Sequence, residues 1–132
     1  MATKSAASRP QIRNDFDYDL STMTRVHWLA MTALGITGVI HVYLFATQGF
    51  LPFLLAGLGF FGIIAGILVT RRGGMLRSAV YVLAIPFTLA QIGAWVAVGM
   101  PDFYLGVADK IVQIVLIAVL GYLVLSERHL RR

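Results

Sequence analysis

The chain has 132 residues, 58% of them hydrophobic and 13% charged, with no cysteine and a formal net charge of +5, and its mean hydropathy is +0.80. A domain this small has too unfavourable a surface-to-volume ratio to hide so much apolar surface from water, which excludes an ordinary soluble globule and makes lipid the expected solvent. The missing cysteines exclude disulfides, thiolate metal sites, iron–sulfur ligation and a cysteine nucleophile. The positive charge sits at the ends of apolar runs rather than on a face with interleaved aromatics, so no nucleic-acid partner is expected.

Residues 1–20 are polar, contain Pro10 and the alternation Asp15-Phe16-Asp17-Tyr18-Asp19, and are expected to form a disordered cytoplasmic tail. This polar lead and the run after it are both too long for a secretory signal. Four apolar segments follow, at about 26–46, 51–70, 76–99 and 107–125. Each has the ~20 residues that span a ~30 Å hydrocarbon layer as a helix. Open strands would leave unpaired edge groups in lipid, so helices are expected throughout. The connections at 47–50, 71–74 and 100–104 are short, which makes successive helices antiparallel neighbours. The predicted fold is therefore all-α, an integral membrane four-helix up-down bundle, with 127–132 as a basic tail. Pro52 suits a first helical turn. Pro86 removes one backbone hydrogen bond from the third helix and predicts a kink there.

Basic residues set the expected orientation. Lys4, Arg9, Arg13, Arg25, Arg71, Arg72, Arg77, Arg128, Arg131 and Arg132 fall on one side of this arrangement, and only Lys110 falls on the other. Cytoplasmic loops carry the excess of Lys and Arg, so both termini are expected in the cytoplasm of a multi-pass cell-membrane protein. Trp28, Tyr81 and Tyr122 are expected near the inner interface, Trp95 and Tyr104 near the outer one.

Helix two is rich in small residues, with Gly59, Gly62 and Gly66 on one side. Small residues allow close backbone approach. They are expected to pack inside the bundle, with a homo-oligomer seam as the alternative, and a bulky residue at Gly62 is expected to damage packing in either case.

A polar layer is the more informative feature. His41, Gln91 and Gln113 sit on three different helices, all roughly 4–8 Å outward of the midplane at 1.5 Å per residue. Thr37 and Gln48 share the His41 stripe, Phe87 and Trp95 flank Gln91, and Asp109 lies one turn from Gln113. Polar groups in lipid are costly and should face one another. Thr37, His41, Gln91, Trp95, Asp109 and Gln113 are thus candidate ligand-binding residues of an outward-facing pocket, or a set of interhelical hydrogen bonds that only fixes register. Asp109 is expected near a helix start, with Lys110 snorkelling outward.

No metal site, cofactor or catalytic set is expected. The sequence contains no H-E-x-x-H, P-loop, nucleophile elbow or paired carboxylates. A bundle haem commonly needs two axial histidines at one depth, and neither His27 nor His129 shares the depth of His41.

Taken together, His27-Trp28, Thr37-Gly38-Val39-Ile40-His41, the run from Phe53 to Phe60, Ile85-Pro86-Phe87-Thr88 with Gln91 and Trp95, and Asp109-Lys110 with Gln113 resemble an uncharacterised family of small four-helix membrane proteins from haloarchaea. The resemblance covers about residues 25–126 and implies the fold without an activity. In size and topology alone the chain is also similar to membrane proteins of haloarchaeal pleomorphic viruses. The leading functional expectation is a non-enzymatic structural or accessory component of a membrane assembly, with membrane-protein partners or a second copy met through helix two. The alternative is a binding or transport module for a lipid, quinone or small solute. A haem-bearing redox carrier is the remotest.

Overall fold

A computed structural model describes residues 22–70 and 74–130; the expected tail at 1–20, Arg71, Arg72, Arg131 and Arg132 lie outside them. The described residues form four helices, α1 (Arg25–Gln48), α2 (Leu51–Val69), α3 (Met75–Ala97) and α4 (Phe103–His129), with no strand among them. All four are long and apolar enough to cross a membrane. The predicted all-α four-helix bundle is thus the observed architecture. α1 packs on α2 and α4, α3 packs on α4, and α2 meets α3 along a much sparser seam.

Local chemistry sets the helix ends. Thr24 caps α1 in a capping box whose third residue is His27, so a ring nitrogen stands where a glutamate oxygen usually does. Gly49 ends α1 at φ 68°, its N–H bonded to the Phe45 carbonyl at 2.8 Å, the left-handed stop that glycine adopts without a Cβ penalty. Pro52 lies in the first turn of α2, where its missing N–H has no carbonyl to lose. α3 continues through Pro86 as one helix. α4 starts and ends about one turn beyond the expected 107–125, so Glu127 and Arg128 belong to the helix rather than to a tail.

The core runs along the bundle axis through Leu34, Phe60, Ile67, Tyr81, Leu116 and Leu120, all fully buried. Tyr81 is a core residue, whereas Trp28 and Tyr122 are exposed on the outside of the bundle. Exposed Leu, Ile and Val side chains cover the outside of every helix, the distribution of a bundle solvated by acyl chains.

α1 and α2 come together closely at a glycine outside the expected three. A Cβ on Gly57 would lie 2.9 Å from Val42 Cγ2 and 3.1 Å from the Gly38 carbonyl, where α1 and α2 nearly touch. Gly59 packs beneath Phe87 and Gly66 beside Val80, but Gly62 faces open space at the α2–α3 seam. The expectation that Gly62 needs to be small is corrected within one chain, because no atom stands where its side chain would go.

Gly57→Leu should lower the stability of the detergent-solubilised protein by about 1–3 kcal/mol, the usual penalty of overpacking. Gly62→Ala should leave it unchanged or raise it by up to about 1 kcal/mol through helix propensity. Thermal unfolding followed by circular dichroism reads both.

Candidate functional site

The polar side chains of α1 and α4 meet inside the bundle in one connected network. Thr37 Oγ1 donates to Asp109 Oδ1 at 2.5 Å, and Gln113 Nε2 donates to Thr37 Oγ1 and to Asp109 Oδ2, both at 3.0 Å. Lys110 Nζ donates to Asp109 Oδ2 at 2.8 Å and to Gln113 Oε1 at 3.2 Å. His41 Nδ1 lies 2.8 Å from the Thr37 carbonyl and 4.0 Å from Asp109 Oδ2. Thr37 and Gln113 are 0% exposed, Asp109 2% and Lys110 8%.

Lys110 does not snorkel outward as expected. Consecutive helical residues point about 100° apart and do not normally pair, but the four-carbon stem of Lys110 folds back over Asp109. The alternative for both charges is apolar surroundings, where an isolated ion costs several kcal/mol. The pairing of Asp109 with Lys110 and Gln113 neutralises the site and satisfies most of its donors and acceptors.

Above this network, at the end bearing the α1–α2 and α3–α4 connections, lies a cavity of about 100 Å3. His41, Asp109 and Lys110 form its polar floor, while Phe50, Phe53 and Trp95 are among its apolar walls. Gln91 also lines it, and its amide makes no hydrogen bond to any described residue. Of the six candidate binding residues, His41, Gln91, Trp95 and Asp109 therefore border the cavity. Thr37 and Gln113 lie beneath, holding Asp109 from below. Gln91 does not join the His41–Gln113 network, because α3 stands across the cavity from it.

The rim is braced by side chains near the ends of α1 and α3 that bond to the α3–α4 connection. Trp95 Nε1 donates to the Pro101 carbonyl at 2.9 Å, and Gln48 Nε2 donates to Asp102 Oδ2. Asp102 itself adopts φ 47° as the N-cap of α4, a left-handed conformation that aspartate tolerates better than most residues. Trp95 packs closely on α4: a Cβ at Gly106 would overlap the Trp95 indole around Nε1. Its ring also stacks on Phe103, with centroids 6.3 Å apart, and Lys110 Nζ lies 6.0 Å from its centroid. Gly106 is thus a site-shaping residue that a reading of polar periodicity passed over.

A second buried polar cluster, at the end of the bundle bearing the termini, was also not anticipated. Arg77 Nε donates to Glu127 Oε1 at 2.7 Å, Ser78 Oγ donates to Glu127 Oε2 at 2.9 Å, and His27 Nε2 stands 3.7 Å from Glu127 Oε1. Arg77 is 6% exposed and Glu127 7%. A usable signal existed, since Asp109 and Glu127 are the only acidic residues within the four helices, and an acid in a lipid-embedded helix demands a partner. His27 and His41 belong to the two separate clusters, roughly 21 Å apart along α1 at 1.5 Å per residue, so they cannot share one planar cofactor.

Fold and site together define a four-helix, membrane-type bundle with a buried charged layer near each end and a cavity above one of them. Comparison with known proteins finds no matching family model, no matching curated protein and no matching solved structure.

Removing one member of the buried pair strands the other. Lys110→Met and Asp109→Asn should each destabilise the protein by about 3–5 kcal/mol. The double variant should recover part of that loss, so that the two single effects add to more than the double. Chemical unfolding in detergent micelles measures this cycle.

Proposed function

We propose that the protein is a non-enzymatic, multi-pass cell-membrane protein that binds a small lipid-soluble molecule in the cavity between His41, Gln91, Trp95 and Lys110. The observation that carries this reading is the combination of aromatic walls with a polar floor and a Gln91 amide that has no hydrogen bond to any described residue. Ligand sites are typically apolar concavities with a few convergent polar groups. Interhelical hydrogen bonding alone accounts for Thr37, Asp109 and Gln113, but it leaves Gln91 without a role. The balance therefore moves from an accessory structural component to a binding module.

The orientation is proposed as cytoplasmic termini, with the cavity in the outer half of the bilayer. Arg25 and Arg128 are exposed at the end bearing the termini. The one lysine on the opposite side, Lys110, is folded into the protein instead of sitting at that interface. What supports the orientation is this basic-residue asymmetry. Because the chain has no cysteine, single substitutions give a clean readout: Gln48→Cys should react with a membrane-impermeant maleimide added outside intact cells, and Ser126→Cys should not.

The binding reading is tested by native mass spectrometry of the full chain released from mild detergent. Wild type should retain a small lipophilic molecule, and Ala94→Phe, which fills the cavity from its wall, should lose it. Retention of the same molecule by both proteins, or a wild type that neither retains nor takes up such a molecule, would overturn the reading.

A further inference from the structure

The floor of the cavity narrows the class of ligand, a step that rests on the binding reading above. A carbonyl oxygen only accepts, so the 2.8 Å contact with the Thr37 carbonyl requires a proton on His41 Nδ1. In the neutral imidazole the other nitrogen then carries a lone pair. Nε2 has no hydrogen-bond partner among the described residues, and unlike His27 Nε2 it is not sealed inside the protein. It belongs to a ring that lines the cavity. His41 therefore offers the ligand an acceptor, and a matching ligand brings a donor.

Charge excludes one large class of lipophiles. Lys110 is the cation on the cavity floor, and it is already directed to Asp109 at 2.8 Å and Gln113 at 3.2 Å. A phosphate or carboxylate head would meet the Asp109 carboxylate with no uncommitted cation among the described residues lining the cavity, at a depth where water screens poorly. The head is therefore neutral.

Shape supplies the rest. Phe50 and Phe53 meet edge to face at 5.4 Å, Phe53 stands edge to face with His41 at 6.2 Å, and Trp95 faces them across the cavity. Aromatic walls favour a flat ring. A volume of about 100 Å3 is of the order of the ~150 Å3 apolar cavity that accepts one benzene ring. One ring fits, with substituents leaving through the open side.

We propose that the cavity binds a neutral hydroxylated aromatic ring of the hydroquinone class. One hydroxyl donates to His41 Nε2, the ring lies among Phe50, Phe53 and Trp95, and the Gln91 amide meets the second oxygen.

The probes are unsubstituted hydroquinone and its dimethyl ether, 1,4-dimethoxybenzene, which keeps the ring and both oxygens but lacks the donors. Each is titrated anaerobically into the full chain in detergent micelles by calorimetry. Wild type should bind the hydroquinone at least ~10-fold more tightly than the ether, since a buried acceptor left unpaired penalises the analogue. His41→Asn keeps an amide N–H where Nδ1 donates to Thr37 but has nothing at the Nε2 position, and the preference should fall to within ~2-fold. Gln91→Leu should weaken both probes alike, because its N–H can donate to either oxygen. Equal binding of the two probes by wild type, abolished by Ala94→Phe, would overturn the hydroxyl-donor class and leave the binding reading standing. A native lipophile retained alongside binding of neither probe would do the same. An empty protein that binds neither would overturn both. The comparison of probes on wild type needs no variant to fold.

Discussion

The bundle depends on how it neutralises Asp109. A carboxylate fully enclosed near one end of a lipid-solvated helix pack is tolerable only if its oxygens are filled, and here Thr37, Lys110 and Gln113 fill them. Two of those groups come from α4 itself and one from α1, so the same interactions that satisfy the charge also lock the register of α1 against α4. His41 extends the network by one step, bonding the carbonyl of the residue that holds Asp109. Among the described residues lining the cavity, His41 Nε2 and the facing Gln91 amide are left without a hydrogen bond to any described residue.

Glu127 sets the same constraint at the other end. There Arg77 and Ser78 of α3 supply the donors, so α3 is registered against α4 as α1 is at the opposite end. α4 thus carries both buried acids and serves as the spine of the bundle. α2 carries no ionisable side chain and is held by close packing instead, with Gly57 against Val42 and Phe60 in the core. Neither ionic layer reaches α2, whose dense packing on α1 and sparse seam with α3 follow from side-chain fit alone. Between the layers lies an apolar core in which Leu34, Phe60, Leu116 and Leu120 are completely buried, separating the chemistry of the two ends.

A histidine in each cluster shows how backbone groups assign ring chemistry. The Thr24 N–H donates to His27 Nδ1 at 3.1 Å, which demands a lone pair there, whereas the Thr37 carbonyl demands a proton on His41 Nδ1. The two rings on one helix therefore hold opposite tautomers. His27 is absorbed by helix capping, and its remaining nitrogen is sealed inside. The His41 ring instead lines the cavity, and its remaining nitrogen is not sealed inside.

The sequence by itself determined the number of helices, their antiparallel order and the shared depth of His41 and Gln113, because span length, loop length and a 1.5 Å rise per residue leave few alternatives. It also singled out Thr37 and Asp109, since both fall on the polar stripes of their helices. It could not say that Lys110 folds inward, because neighbours in a helix diverge and only the apolar surroundings make the folded-back conformer the favourable one. Nor could it find Gly106, and although the acid at Glu127 signalled the need for a partner, which residues supply it is defined by what another helix brings opposite, 49 and 50 residues away for Ser78 and Arg77. Whether the polar layer was a mere lacework of hydrogen bonds or the floor of a cavity was decided by tertiary structure alone. Periodicity gives depth and face, but the space left between helices follows from how closely their side chains let the backbones approach.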